Sequence, residues 1–249
     1  MIEERNIYMT DNFMKILENV GIIEQDNNSY LMSSEDKKTY FIPPHYASEF
    51  DNIYCDVEGY IGKGIKQLHD VEYIYDVEKT YKMRGRCHKN FKHNVNIFSN
   101  NIDKNYKSDF TFKSGTHTTI MDMHTEWIEP DLTYANNESM FISLLYNHMD
   151  KFNIMPNKIF YLEEEPVAFV LYDESPKYTH LYFVYAVPTI QYLEDYVTWT
   201  FFRQKMKDNS KKDVNYGGVY GDSNIKKIKE HICPYEIRDR WSWSHGLNI

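Results

Sequence analysis

The sequence predicts a mixed α/β (α+β) fold, with helices flanking sheet that is partly antiparallel and partly parallel. Three observations lead there. Apolar residues at helical spacing in 139–153 and 192–207 bracket the β-prone runs "IFYL", "VAFVLYD" and "YTHLYFVYA". The first two runs are separated by a short acidic turn, which gives an antiparallel pair. A further run, "DVNY", lies beyond a helix, as a parallel neighbour requires. At 42% apolar and 16% aromatic, the 249 residues can build a sizeable core.

In chain order, Asp11 caps an opening helix with Phe13, Ile16, Leu17 and Val20 on one face. "SYLMSSEDKKTYFIPP" reads as a hairpin around a polar loop. "VEYIYD" is an alternating strand ending in Asp76, a cap for "VEKTYKM", which Gly85 closes. A helix over 88–98 turns Phe91, Val95 and Phe98 inward. "SNNIDKNYKSDFTFKSG" is polar and aperiodic, and is expected to be a linker or long loop. A helix over 139–153 precedes the hairpin of "NKIFYLEEEPVAFVLYD" and the central strand "YTHLYFVYAVP". "YLEDYVTWTFFRQKMK" is a helix with Leu193, Tyr196, Val197, Thr200 and Phe201 inward. "DVNYGG" ends a strand, and "DSNIKKIKEHI" is a helix capped by Asp222 or Ser223 with Ile225, Ile228 and Ile232 inward. The terminal "RDRWSWSHG" alternates like an edge strand. Its Trp241 and Trp243 either stack on a base or anchor a tail.

The net charge of −9 argues against a general polyanion binder, and no run is long and apolar enough for a membrane span. "MIEERNIYMTDNF" is acidic where an export signal is basic, so a cytoplasmic location is expected. Cys55, Cys87 and Cys233 are scattered and form no CxxC. The expectation is therefore no disulfide framework and no metal. His117 and His124 are poorly spaced to share an ion.

Against this acidic background, Lys79, Lys82, Arg84, Arg86, Lys89 and Lys92 crowd 79–92, and no acid occurs from Lys79 through Ile102. With Gly85 before a helix, this segment suits the phosphates of coenzyme A, of an aminoacyl-tRNA or of DNA. A solvated basic face is the alternative. Arg203, Lys205, Lys207, Lys211 and Lys212 form a second cluster at a helix end. Three of the ten glycines, Gly217, Gly218 and Gly221, fall within five positions. They either make a strand-to-helix turn or bring backbone close to a ligand.

Two segments carry a family resemblance: "YIYDVEKTYKMRGRCHKNFKHNVNIF" and "EEEPVAFVLYD" through "VNYGGVYGDSNIKKIKEHICPYE". In order and spacing they resemble the GNAT-like acyltransferases built around the C-terminal domain of phosphatidylglycerol lysyltransferase, in which two GNAT-like halves sit in tandem. The resemblance implies halves at 1–115 and 116–249, and transfer of an acyl group from an acyl-CoA or aminoacyl-tRNA donor. The acceptor would be an amine or hydroxyl on a small molecule, peptide, lipid headgroup or nucleic acid. It implies Glu164, Tyr220 and Tyr185 as catalytic candidates, with Glu163, Glu165, Asp173 and His180 as further bases. Arg84, Gly85, Arg86, Lys89, Lys92, Asn215, Gly217 and Gly218 would hold the donor. The chain departs from ordinary acetyltransferases after the central strand. "YAVPTIQYLEDYV" has no glycine, and its Glu194 and Asp195 would repel a diphosphate. Two other readings share the residues: a phage-type base-modifying transferase and a non-catalytic module that binds nucleic acid or protein.

Overall fold

The computed structural model describes residues 10–19, 24–26, 29–34, 37–40, 52–54, 65–105, 110–116, 118–120, 122–123, 156–208, 212–219 and 223–244. Eleven strands form one sheet: β1 (Glu24–Asp26), β2 (Ser29–Ser34), β3 (Lys37–Tyr40), β4 (Asn52–Tyr54), β5 (Ile65–Tyr75), β6 (Phe110–Lys113), β7 (Asn157–Leu162), β8 (Glu165–Glu174), β9 (Tyr178–Ala186), β10 (Asp213–Asn215) and β11 (Glu236–Ser244). Their order is β1-β2-β3-β4-β11-β5-β10-β9-β8-β7-β6. Among the described residues, only the β3–β4 and β9–β10 pairs run parallel. The helices are α1 (Asp11–Asn19), α2 (Val77–Lys82), α3 (Lys89–Asn105), α4 (Leu193–Lys207) and α5 (Ser223–His231). The mixed α/β expectation holds. The helix expected over 139–153, His117, His124, Cys55, Tyr220, Gly221 and Asp222 lie outside the described residues.

Local chemistry sets the element ends. The Asp76 carboxylate accepts the Lys79 amide at 2.8 Å and starts α2. The helix stops at Met83, which takes the left-handed conformation (φ 46°), two residues before Gly85. α3 runs to Asn105, past the expected boundary, because Ile102 extends the buried stripe of Phe91, Val95 and Phe98. The expected linker is thus part helix, and its "FTFK" becomes β6, with Phe112 stacked on Phe160 at 5.5 Å. Glu163 and Glu164, both at positive φ, make the two-residue turn between β7 and β8. In α5 the inward face is Ile225, Lys229 and Ile232. Ile228, expected inside, is 40% exposed.

The principal core lies on one face of the sheet, where α2, α3 and α4 bury Tyr73, Tyr75, Phe91, Phe160, Val197 and Phe202. A smaller cluster on the other face gathers Ile120, Met123, Ile159 and Phe169, with Tyr185 packed against it.

β11 is not the edge strand its alternation suggests. It pairs with β5 along nine positions and with β4 on its other side. Buried polar groups mark this junction. Glu72 of β5 accepts from Asn215 Nδ2 of β10 at 2.9 Å and lies 3.7 Å from Arg240 Nε of β11. All three residues are at most 5% exposed. Removing one partner strands the other's charge, so Arg240→Leu should lower unfolding free energy by about 3–5 kcal/mol. Chemical denaturation checks this, and Glu72→Leu combined with Arg240→Leu should recover much of the loss.

Candidate active site

β9 and β10 pair only over Tyr178–His180 against Asp213–Asn215. β8 follows β9 all the way to Ala186, whereas β10 turns instead onto β5, exchanging backbone bonds between Tyr73 and Tyr216–Gly217. The two parallel strands therefore part after His180. A pocket of about 540 Å³ opens at the end of β9, between the β9–α4 connection, the first turn of α4, α5 and Asn94 of α3.

The polar groups in this pocket form a connected set. Asp195 Oδ2 accepts from Asn94 Nδ2 at 2.7 Å and from His231 Nε2 at 3.1 Å. The Asp195 hydrogen bond raises the His231 pKa, against the opposing effect of burial. Phe91 meets the His231 ring edge-on at 5.9 Å and limits its orientation. Glu194 is pushed up to about 7, first by burial and then by the Asp195 charge beside it. A carboxyl poised there can hold or release a proton near neutrality, the property required of a general base or acid. Lys227 lines the same pocket. Ile228, the residue displaced from the core, forms part of its wall.

The residues picked from the sequence fall in several places. Arg84, Gly85, Arg86, Lys89 and Lys92 are exposed along the α2–α3 turn and the start of α3, the helix that carries Asn94 into the pocket. Glu164 is exposed in the β7–β8 turn. Tyr185 stacks on Phe169 at 5.2 Å and packs on the smaller cluster. Asn215 is wholly buried, its amide held by Glu72 and its Oδ1 accepting from the Gly217 amide at 2.9 Å. Gly217 takes φ 63°, and this bend presents the carbonyls of Tyr216 and Gly218 to the buried ammonium of Lys229. That ammonium also lies 4.6 Å from the centre of the Tyr216 ring. In the second basic cluster, Lys205 and Lys212 both pair with Glu174.

Two expectations about cysteine are overturned. Cys87 and Cys233, 146 positions apart, form a disulfide with Cα atoms 5.8 Å apart. Together with His88 they place three ligand-type atoms within 4.8 Å of one another, so the expectation of no metal also fails. No CxxC announces this group, because the fold brings the end of α5 to the start of α3. The same holds for the pocket. Glu194 and Asp195 were legible only as repellents of a diphosphate. His231 and Asn94 carry no sequence signal, lying 36 and 101 positions from Asp195.

By sequence, no family model and no curated protein matches the chain. By structure, it is similar to a conserved protein of unknown function from Bacteroides thetaiotaomicron, with TM-score 0.78 and 13% identity over 98% of this chain and 93% of that one. It is also similar to the L-PGS of Bacillus licheniformis, with TM-score 0.61 and 15% identity over 100% of this chain and 95% of that one. The C-terminal domain of a putative lysylphosphatidylglycerol synthetase from Agrobacterium fabrum matches with TM-score 0.61 and 10% identity, covering 98% of this chain and 89% of that domain. The chain shares the fold of these structures, the GNAT-like fold that the sequence resemblance implied.

The Glu194 shift has a thermodynamic consequence. Between about pH 4.5 and 7 the folded chain retains a proton that the unfolded chain has lost, so this residue makes stability fall as pH rises across that window. Asp195, His231 and Lys227 face it there. Melting temperatures recorded from pH 4.5 to 8 should show a shallower decline for Glu194→Gln than for the parent, with the variant the more stable above pH 7. Parallel curves would place Glu194 in solvent.

Proposed function

On the premise of that shared fold, we propose that the chain is a transferase moving an acyl or aminoacyl group from an activated ester or thioester to an amine or hydroxyl. The parting of β9 from β10 carries the reading. At the end of β9 lies a pocket that has an ionisable carboxyl poised near neutrality in its lining.

Glu194 is the base in this scheme. It takes the proton from the acceptor nitrogen or oxygen as that atom attacks the donor's carbonyl carbon, and the proton then passes to the leaving group. Asp195, held by Asn94 and His231, is a positioning residue that raises the Glu194 pKa by like-charge repulsion. Two carboxylates on the first turn of α4 disfavour a diphosphate at that helix end. The donor's phosphates are therefore assigned to Arg84, Arg86, Lys89 and Lys92, from which α3 leads to Asn94 at the pocket. The division into halves at 115 and the roles of Glu164, Tyr185 and Tyr220 belong to this proposal too, as secondary elements.

The experiment is single-turnover transfer from acyl-CoA and from charged tRNA, offered in turn, to small amines and to phosphatidylglycerol vesicles. Glu194→Gln should reduce the rate about 10²–10⁴-fold with donor affinity retained, and the parent's rate should rise with pH through about 7. A Glu194→Gln variant at full rate removes the base from this pocket. Arg84→Glu with Arg86→Glu should weaken donor binding and its salt dependence while leaving the melting temperature in place. Unchanged affinity removes the phosphate assignment.

A further inference from the structure

The Cys87–Cys233 pair sits where the turn before α3 meets the residues just after α5, behind the pocket wall formed by His231. Three observations bear on it. Cys87 is an exposed residue, which places the pair at the protein surface. Cys233 takes a left-handed backbone (φ 69°), a conformation that a non-glycine residue adopts only when its surroundings impose it. The third is the neighbouring imidazole. His88 is 3% exposed, and its Nδ1 both donates to the Arg84 carbonyl at 2.8 Å and lies 3.5 Å from Cys87 Sγ. Nε2 is buried with no hydrogen-bond partner. The imidazole thus already sits against the Cys87 sulfur, from where it can join the two thiolates as a third ligand.

We propose that the reduced form of this pair, with His88, is a binding site for a soft divalent cation of the zinc type, and that the disulfide is its metal-free, oxidised state. The donor set of two thiolates and one imidazole is the one that selects zinc over the harder cations. Its three ligand-type atoms already lie within 4.8 Å. With Cys87 at the surface, the fourth coordination position is left to water. The two states exclude each other because the same sulfur electrons make either the S–S bond or the metal bonds. A dithiol reductant transfers two electrons and two protons to the disulfide and becomes a cyclic disulfide itself. Zinc then displaces the two thiol protons as it binds. The proposal stands apart from the transfer reaction and survives or fails without it.

The test uses the full chain carrying Cys55→Ser, so that only Cys87 and Cys233 can titrate. Protein reduced with dithiothreitol and freed of it anaerobically is titrated with Co²⁺. The expected result is one equivalent bound, with a thiolate-to-cobalt charge-transfer band and tetrahedral d–d bands that Zn²⁺ abolishes. Protein left oxidised should give neither band. His88→Ala should weaken Zn²⁺, measured against a chromophoric chelator, by at least about tenfold. Reduced protein without the charge-transfer band overturns the proposal, and repeating the titration on the unsubstituted chain keeps that outcome independent of any variant's folding. Unaltered zinc affinity in His88→Ala overturns it as well, by removing the third ligand.

Discussion

The meeting of β11, β5 and β10 around the buried Glu72 carboxylate is the constraint on which the rest of the structure depends. Glu72 is in the middle strand, with Arg240 on one side and Asn215 on the other. A buried carboxylate is tolerable only if its partners sit at fixed positions, and a strand that slips by one residue sends every side chain to the opposite face. This group therefore pins the register of three strands drawn from widely separated parts of the chain. It is what lets the C-terminal strand insert beside β5 and makes the eleven strands one sheet.

The divergence of β9 and β10 follows from that pinning. Because Asn215 and the Tyr216–Gly217 backbone are committed to β5, β10 cannot accompany β9 beyond three residues. The bend at Gly217, stabilised by the Asn215 side chain, aims two carbonyls at Lys229 and so docks α5. Lys229 satisfies its charge with carbonyl oxygens and the Tyr216 ring, a lining that makes a buried ammonium acceptable in place of an aliphatic side chain. With Lys229 turned inward, the next positions along α5, His231 included, reach the pocket above Asp195.

Polarity is then sorted by distance from the sheet. In the second basic cluster Lys205 and Lys212 are spent on Glu174, whereas Arg84, Arg86, Lys89 and Lys92 stay exposed around the head of α3. The basic run of the sequence thus stays at the surface, on the helix that leads to a pocket whose first-turn α4 charges are carboxylates. A pocket of that kind favours a ligand with separated phosphate and polar reactive ends over one that puts a diphosphate against α4.

The sequence by itself determined the mixed class, the β7–β8 hairpin, the central β9, the Asp76 cap and the basic head of α3. Each is encoded within about a dozen residues, by alternation, helical spacing or one capping side chain. It also pointed to the fold group, through the order of segments rather than through any strict motif. It misread the run after Phe98, because a 17-residue helix can be mostly polar when a single stripe, here continued by Ile102, packs inward. It misread "RDRWSWSHG" because alternation reports a strand and says nothing of how many neighbours it has. Tertiary structure alone decided the Asn94–Asp195–His231 set, the inward Lys229 and the Cys87–His88–Cys233 group. Apart from the neighbours Cys87 and His88, their members lie from 11 to 146 positions away from the groups they meet. Only closure of the sheet brings them within bonding distance, and no local pattern in a chain records a contact that closure makes.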